Sequence, residues 1–246
     1  MIALRNLLGC TAVILCLGAC SSKYYYVKGL KAARNPTQEK VFDQLAVVST
    51  GDNKQVWQTI DGKQYVLAVT WKADTTYYTR KDAYNTSTGL YKYNTGNYPV
   101  FATIAPYLKE KGLGKLNDKK LTRRLDQLLG LPPTSQYSYF LEVWVQPEDL
   151  VRPCFDPSVA INVCEYFPSG KDNERTEYMS WLYKYIYDSY SDPDMLKRYP
   201  FTHLGYTFDW SPKNKSHVGL SEFVIGKNKN IYIRKVYTTR GYFEQQ

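Results

Sequence analysis

The strongest constraint on the fold is a regular alternation between Tyr139 and Gln146. Successive side chains of a β-strand point to opposite sides of a sheet, so two alternating sets of residues correspond to two faces. The first set is Tyr139, Leu141, Val143 and Val145, and the second is Phe140, Glu142, Trp144 and Gln146. Pro147 ends the segment because its nitrogen cannot donate to a neighbouring strand. The alternation therefore predicts a strand within a sheet.

A β-hairpin is predicted earlier in the chain. Its strands are Val56–Ile60 and Lys63–Trp71, and Asp61-Gly62 lies between them. This dipeptide supplies the positive φ angles that a tight hairpin turn needs. Both faces of the second strand are largely apolar, so we expect this strand to lie at the centre of the sheet.

The remaining segments complete an α+β pattern. Helices are predicted at Val100–Lys111, Asp118–Leu129 and Asn173–Ser189, a loop or ragged hairpin at 74–98, and a last hairpin at Glu222–Ile225 and Ile231–Thr239. Asn117 is the predicted N-cap of the second helix. Strands at both ends with helices between them predict an α+β fold, a mainly antiparallel sheet with about three helices packed on one face. Residues 41–246 are expected to form a single domain.

Composition excludes several classes of protein. The 246-residue chain has 43% hydrophobic and 22% charged residues, a net charge of +9 and 24 tyrosines. These values exclude a disordered chain, an acidic tail, a collagen-like repeat and a multi-span membrane protein. They do not point to a reaction.

The first residues have the pattern of an export signal. Arg5 precedes an apolar stretch, Leu7–Leu17, which is too short to span a bilayer about 30 Å thick. The segment Leu17-Gly18-Ala19-Cys20 resembles the lipobox of bacterial lipoproteins. The resemblance implies that residues 1–19 are a signal peptide removed on export and that Cys20 is acylated, for example with palmitate. An ordinary secretory signal that contains a cysteine is the alternative.

The lipobox resemblance also implies a location. Several acyl chains on one residue meet the requirement for stable membrane attachment. Ser21 after the cysteine favours the outer membrane of a Gram-negative bacterium, with the domain facing the periplasm or the cell surface. Residues 20–40 are then an acylated tether. Its basic residues either lie near anionic head groups or belong to a solvated linker.

Cysteine usage agrees with export. With Cys10 and Cys16 in the signal and Cys20 acylated, Cys154 and Cys164 are left as a pair. An even number of cysteines in an oxidising compartment predicts a disulfide, here contributing roughly 2–3 kcal/mol. A metal pair and a reactive thiol are the alternatives, but no histidine is close enough in sequence for a zinc site.

Few residues offer catalytic chemistry. The two histidines, His203 and His217, lie in a stretch that also holds Asp209 and Glu222. The four could act as nitrogen and oxygen ligands of a metal, but their spacing matches no metal-binding motif. We therefore predict no metal and no cofactor. His203, Asp209 and Glu222 remain the candidates for acid–base chemistry.

Other catalytic patterns are incomplete. The segment Gly219–Phe223 lacks the closing glycine of a nucleophile elbow, and Gly112–Lys115 lacks the spacing of a phosphate-binding loop. Carboxylates such as Glu142, Glu148 and Asp149 could form the pair that a glycosidase needs. A glycan-cleaving envelope enzyme is therefore an alternative function.

The tyrosines and positive charges favour a binding role. Because Tyr and Trp stack on sugar rings and dominate protein interfaces, Tyr206 and Trp210 are the predicted binding residues. Nucleic acid is not an expected partner of a protein anchored in the envelope. The expected partners are the membrane, through the lipid, and an envelope protein, peptidoglycan or lipopolysaccharide. Alternatively, the tyrosines replace phenylalanine in the core and the charge aids solubility.

Three blocks carry a further resemblance. They are Val143–Cys154, Tyr199–Trp210 and Val218–Ile225. Over about residues 139–225 they resemble an uncharacterised family of proteobacterial exported lipoproteins, which implies a shared fold and an envelope location and assigns no functional residue. We expect a lipid-anchored, non-catalytic binding or assembly factor of the cell envelope. The alternatives are an envelope enzyme acting on a glycan and a surface-exposed factor acting on host or rival cells.

Overall fold

A computed structural model describes residues 21–168 and 176–244 of the chain. The predicted signal peptide and Cys20 lie outside the described residues, as do residues 173–175 at the start of the third predicted helix.

The described residues form strands and helices in the following order. The strands are β1 (Trp57–Ile60), β2 (Lys63–Lys72), β3 (Tyr84–Asn85), β4 (Leu90–Asn94), β5 (Val100–Ile104), β6 (Tyr139–Val145), β7 (Leu150–Val151), β8 (Tyr206–Phe208), β9 (Val218–Ser221), β10 (Phe223–Ile225) and β11 (Asn230–Thr238). The helices are α1 (residues 21–34), α2 (Ala105–Lys109), α3 (Asp118–Leu128), α4 (Thr176–Ser191) and α5 (Thr239–Glu244).

Nine strands form one sheet in the order β3-β4-β11-β6-β2-β5-β10-β7, with β1 paired to β2. Every pairing within it is antiparallel. The central pair is β2 and β6, which runs from Val66 opposite Val145 to Lys72 opposite Tyr139. A separate hairpin is formed by β8 and β9. The predicted α+β class, with a mainly antiparallel sheet in a single domain, is confirmed.

Both faces of the central strands are buried, but in different clusters. Alternate residues of β2, from Tyr65 to Trp71, pack with α2, α3 and α5. The intervening residues Val66 and Ala68 join aliphatic residues of β5, β6 and β10 in a second cluster. The two-residue period of the sequence therefore separates two hydrophobic layers, one on each side of the sheet.

Two local predictions are confirmed in detail. Asp61 and Gly62 have φ angles of 49° and 76°, which the tight turn between β1 and β2 requires. The Asn117 side chain accepts a hydrogen bond from the backbone N–H of Lys120 at 3.0 Å and so caps α3.

Two other predictions are wrong. Val100–Ile104 is a strand because it pairs with β2 and β10, and the helix begins only at Ala105, with Pro106 in its first turn. The last two predicted strands exist as β10 and β11 but do not form a hairpin. Strand β10 lies between β5 and β7, whereas β11 lies between β4 and β6. Pairing with distant strands prevails over the local turn signal.

Residues 21–34, expected to belong to a tether, form a helix that packs against the domain. Its buried residues repeat at helical spacing and are Ser22, Tyr26, Gly29, Leu30 and Ala33. Its exposed basic residues are Lys23, Lys28, Lys31 and Arg34. The basic residues occupy only the outer face, so burial of the opposite face holds the helix on the domain.

The predicted disulfide between Cys154 and Cys164 is present, with the two Cα atoms 6.1 Å apart. Both cysteines are buried. Cys154 also forms an isolated antiparallel bridge with Leu204, which ties the loop after β7 to the segment that leads into β8.

In the parts of the chain that the structure describes, none of the helices is both long enough and apolar enough to cross a bilayer.

The close packing of α1 generates a stability prediction. A Cβ atom at Gly29 would lie 2.9 Å from the Cβ of Trp210 and 3.1 Å from the ring of Phe208. We expect Gly29→Val to lower the free energy of unfolding by about 2–3 kcal/mol, because both neighbours would have to shift. The matched change at the exposed neighbour, Lys28→Val, should cost less than about 1 kcal/mol. Urea denaturation measures both values, and equal losses would contradict the packing of α1.

Candidate functional site

An aromatic cleft of about 230 Å³ opens between the sheet and α4. It is lined by residues of β2, β5, α4 and the α3–β6 connection, and by Glu222 between β9 and β10. Its aromatic lining residues are Trp71, Phe101, Tyr137, Phe140, Tyr185 and Tyr199. Its polar lining residues are Thr70, Lys72, Thr103, Thr207 and Glu222.

Ring packing fixes the aromatic residues of the cleft. Tyr185 stacks on Phe101 with centroids 4.9 Å apart and meets Phe201 edge-on at 4.8 Å. Trp181, one helical turn earlier in α4, stacks on Tyr185 at 5.7 Å. Phe101 and Tyr185 are only partly buried. These contacts hold the rings in place, so the aromatic wall of the cleft is rigid.

Glu222 is the carboxyl group of the cleft. Its side chain is buried, and burial raises its pKa from 4.5 to about 7. The Tyr199 hydroxyl lies 3.2 Å from Oε1 of Glu222 and 3.0 Å from the carbonyl oxygen of Leu129. Because a tyrosine has one hydroxyl proton, donation to Leu129 leaves Tyr199 able to accept from a protonated Glu222. Glu222 is then a neutral hydrogen-bonding group below about pH 7.

The other polar groups differ in their availability. The Thr70 hydroxyl donates to the carbonyl of Phe101 at 2.7 Å, and that of Thr103 donates to the carbonyl of Ser221 at 2.9 Å. Both hydroxyl protons are therefore engaged within the protein. Lys72 lies at the end of β2, and burial lowers the pKa of its ammonium group. Besides tyrosine, Glu222 and Lys72 are the ionisable residues in the lining of the cleft.

The three predicted acid–base candidates are separated. His203 packs beside Phe155 and Phe201, at 5.6 and 6.2 Å between ring centroids, and burial lowers its pKa to about 4. Asp209 is buried in a bidentate ion pair with Arg124, with N–O distances of 3.0 and 2.6 Å. Of the three, only Glu222 lines the cleft. The structure does not bring them together as a catalytic set.

The two predicted binding residues belong to the core. Tyr206 and Trp210 are 2% and 1% exposed. The Tyr206 hydroxyl donates to the carbonyl of Lys40, and the indole N–H of Trp210 lies within 3.0 Å of the carbonyls of Asp126 and Leu131. Neither ring is available to a partner. The prediction that these two residues form a contact surface is therefore wrong.

The combination of histidines and carboxylates considered as a metal site is not assembled. The His217 ring stacks on Phe208 at 4.8 Å, and its Nδ1 lies 2.8 Å from the carbonyl oxygen of Asp209. Within residues 21–168 and 176–244, no three His, Cys, Asp or Glu side chains are placed to hold a metal ion.

Most cleft residues were missed by the sequence analysis. Phe101 lay in a segment assigned to a helix, Tyr137 in a connection, and Lys72 just beyond a predicted strand. Tyr185 lies within the third predicted helix, to which the sequence assigns no functional residue. The spacing of these residues carries no signal, because they come from four different elements.

Comparison of the chain with protein-family models, with curated proteins and with solved structures finds no match in any of the three. The resemblance to an exported lipoprotein family therefore stays a prediction, and the geometry of the cleft is the basis for a functional proposal.

The buried carboxyl group in the cleft predicts a pH dependence of stability. With a pKa of about 7 in the folded state, Glu222 keeps a proton between pH 4.5 and 7 that the unfolded chain has lost. The folded state therefore loses stability as pH rises through this window. We expect Glu222→Gln to remove up to about 3 kcal/mol of that loss. The variant should keep a smaller pH dependence of stability from Asp126, because burial also raises the pKa of that carboxyl group to about 7.

Urea denaturation at about pH 5 and about pH 8 measures this dependence. The control is Glu177→Gln at an exposed position in the first turn of α4, which should lose as much stability as the unaltered chain. An unchanged pH dependence in Glu222→Gln would show that the carboxyl is not held neutral.

Proposed function

We propose that this chain is a lipid-anchored lipoprotein of the bacterial cell envelope, and that its domain binds a glycan in the aromatic cleft without transforming it. The observation that carries the proposal is the cleft itself. Partly exposed aromatic rings lie there beside Glu222, a buried carboxyl group with a pKa of about 7.

The chemistry of the lining fits a sugar. One face of a pyranose ring carries C–H groups that pack on an aromatic ring, while its hydroxyl and amide groups need hydrogen-bond partners. Tyr137, which is partly exposed and contacts Trp71 edge-to-face at 5.6 Å, supplies such a ring, and Phe101 and Tyr185 wall the cleft beside it. Glu222 both donates and accepts when protonated, and Lys72 donates.

The composition of the cleft favours binding over hydrolysis. Glycoside hydrolysis ordinarily uses two carboxyl groups about 5–10 Å apart. Among the described lining residues, Glu222 is the one carboxyl group. A single acid placed beside aromatic rings orients a sugar but supplies only half of the usual catalytic pair.

The lipid anchor rests on the lipobox-like segment that ends at Cys20. Helix α1 is already formed at residue 21 and packs into the domain. An acyl group on Cys20 would therefore hold the domain close to the membrane instead of at the end of an extended tether. We place the protein at the outer membrane, facing the periplasm or the cell surface.

One observation favours an envelope enzyme as a second candidate. A carboxyl group with a pKa near 7 is well matched to general acid catalysis at neutral pH. In this alternative Glu222 would protonate the leaving group of a glycan bound in the same cleft.

The binding proposal predicts a specific loss of affinity. We expect Tyr137→Ala and Glu222→Ala each to weaken binding of N-acetylglucosamine oligosaccharides at least about tenfold, because each removes one contact of the cleft. Isothermal titration calorimetry with the purified protein measures the affinity.

The control is Tyr98→Ala. Tyr98 is 80% exposed in the β4–β5 connection and does not line the cleft. Equal affinity in all variants would refute binding in the cleft. Cleavage of the oligosaccharide by the unaltered protein, abolished in Glu222→Gln, would support the enzyme in place of the binding protein.

The anchor makes a separate prediction. In a Gram-negative host, the unaltered chain and Cys16→Ser should lose residues 1–19 and carry acyl chains, whereas Cys20→Ser should do neither. Mass spectrometry of the membrane fraction measures both changes. Normal cleavage of Cys20→Ser would instead indicate an ordinary secretory signal.

A further inference from the structure

We propose that α3 and the tip of the β8–β9 hairpin form a membrane-facing surface that binds the anionic head groups of phospholipids. This basic face consists of Lys120 and Arg123 of α3 and Lys213 and Lys215 of the hairpin tip. The inference deepens the proposed function and rests on the anchor at Cys20.

The basic face has an excess of positive charge around an open depression of about 470 Å³. Lys120, Arg123 and Lys213 line the depression and are exposed, and Lys215 is exposed nearby in sequence. Arg124 also lines it, but that residue is paired with the buried carboxylate of Asp209. Among the described residues, no carboxylate lies within salt-bridge distance of the four lysine and arginine groups of the basic face.

Contacts along α1 show which way the hairpin points. The Tyr206 hydroxyl at the start of β8 donates to the carbonyl of Lys40, beyond the C-terminal end of α1. Further along, Phe208 and Trp210 pack on Gly29, and the Trp210 ring meets Tyr26 edge-on at 5.8 Å. The hairpin thus runs antiparallel to α1, and its tip lies toward the N-terminal end of that helix.

Helix α3 is aligned in the same way. The Thr207 hydroxyl donates to the carbonyl of Leu128, the backbone N–H of Trp210 to that of Gln127, and Asp209 pairs with Arg124. The earlier residues of α3, which include Lys120, therefore lie beside the hairpin tip. Both parts of the basic face are located toward the end of α1 that follows Cys20.

This location would bring the positive charges of the basic face close to the lipid head groups. Consecutive Cα atoms are about 3.8 Å apart, so acyl chains on Cys20 would hold the N-terminal end of α1 at the lipid surface. Charges within about 8 Å of that surface are only partly screened at physiological ionic strength. Each lysine or arginine there is attracted to anionic lipid and not to neutral lipid. The anchor and the basic face would together fix the orientation of the domain.

The test uses the mature acylated protein in vesicles of phosphatidylcholine, with or without phosphatidylglycerol. A fluorophore is attached through Lys215→Cys, where the thiol is free while Cys154 and Cys164 are bonded to each other. A quencher linked to the lipid head groups reports proximity. We expect strong quenching with phosphatidylglycerol, a loss of quenching in phosphatidylcholine alone, and a loss at high salt.

A charge-reversal variant completes the test. Lys120→Glu, Arg123→Glu and Lys213→Glu together should reduce quenching to the level seen with neutral vesicles. The control makes the same change in net charge elsewhere, with Lys63→Glu, Lys81→Glu and Lys92→Glu, all exposed, and should leave quenching unchanged. Quenching that does not depend on phosphatidylglycerol, or that survives the charge reversal, would overturn the proposal.

Different results would refute the proposed anchor and the proposed basic face. Protein that a high-salt wash removes from neutral vesicles, yet that binds phosphatidylglycerol at low salt, would refute the anchor and support the face. Protein that stays on both vesicles but shows equal quenching in both would support the anchor and refute the face.

Discussion

Burial of Trp210 is the interaction on which the arrangement of the molecule depends. Its ring packs on Tyr26 and its Cβ on Gly29, which holds α1 on the domain. Its indole and backbone N–H groups donate to the carbonyls of Asp126 and Gln127 in the last turn of α3, beside the N–H groups that follow the helix. One side chain thus joins the first helix, the third helix and the β8–β9 hairpin. Trp210, which the sequence analysis predicts to be a binding residue, belongs to a core cluster.

The same packing sets the chemistry of the cleft. Glu222 follows β9 directly, and the hairpin that contains β9 is held by α1 and α3. Aromatic residues from β5, α4 and the segment before β8 then surround the carboxyl group and exclude water from it. Removal of water disfavours the charged form, which is why this glutamate keeps its proton near neutral pH. A neutral carboxyl group in the lining of the cleft avoids the cost of burying a charge.

Sequence patterns were reliable where the physics is local. The Asp61-Gly62 turn, the Asn117 cap and the alternation in β6 each depend on a few neighbouring residues, and all three are present. Sequence patterns failed where the secondary structure depends on pairing with a distant strand. Val100–Ile104 is a strand because two other strands flank it, and β10 and β11 separate because each pairs with strands elsewhere. Of the cleft residues, only Glu222 is predicted from the sequence to carry chemistry, because its side chain can transfer a proton.

The amino-acid sequence was enough to predict the class of fold, its central strand and the Cys154–Cys164 bond. These follow from side-chain periodicity, turn chemistry and the count of cysteines. Tertiary structure alone decided which aromatic residues form the core and which line the cleft, since both kinds are tyrosine, phenylalanine or tryptophan. It also decided that a basic, polar stretch after Cys20 packs as a helix. Burial depends on what lies opposite a side chain, and that partner comes from a remote part of the chain.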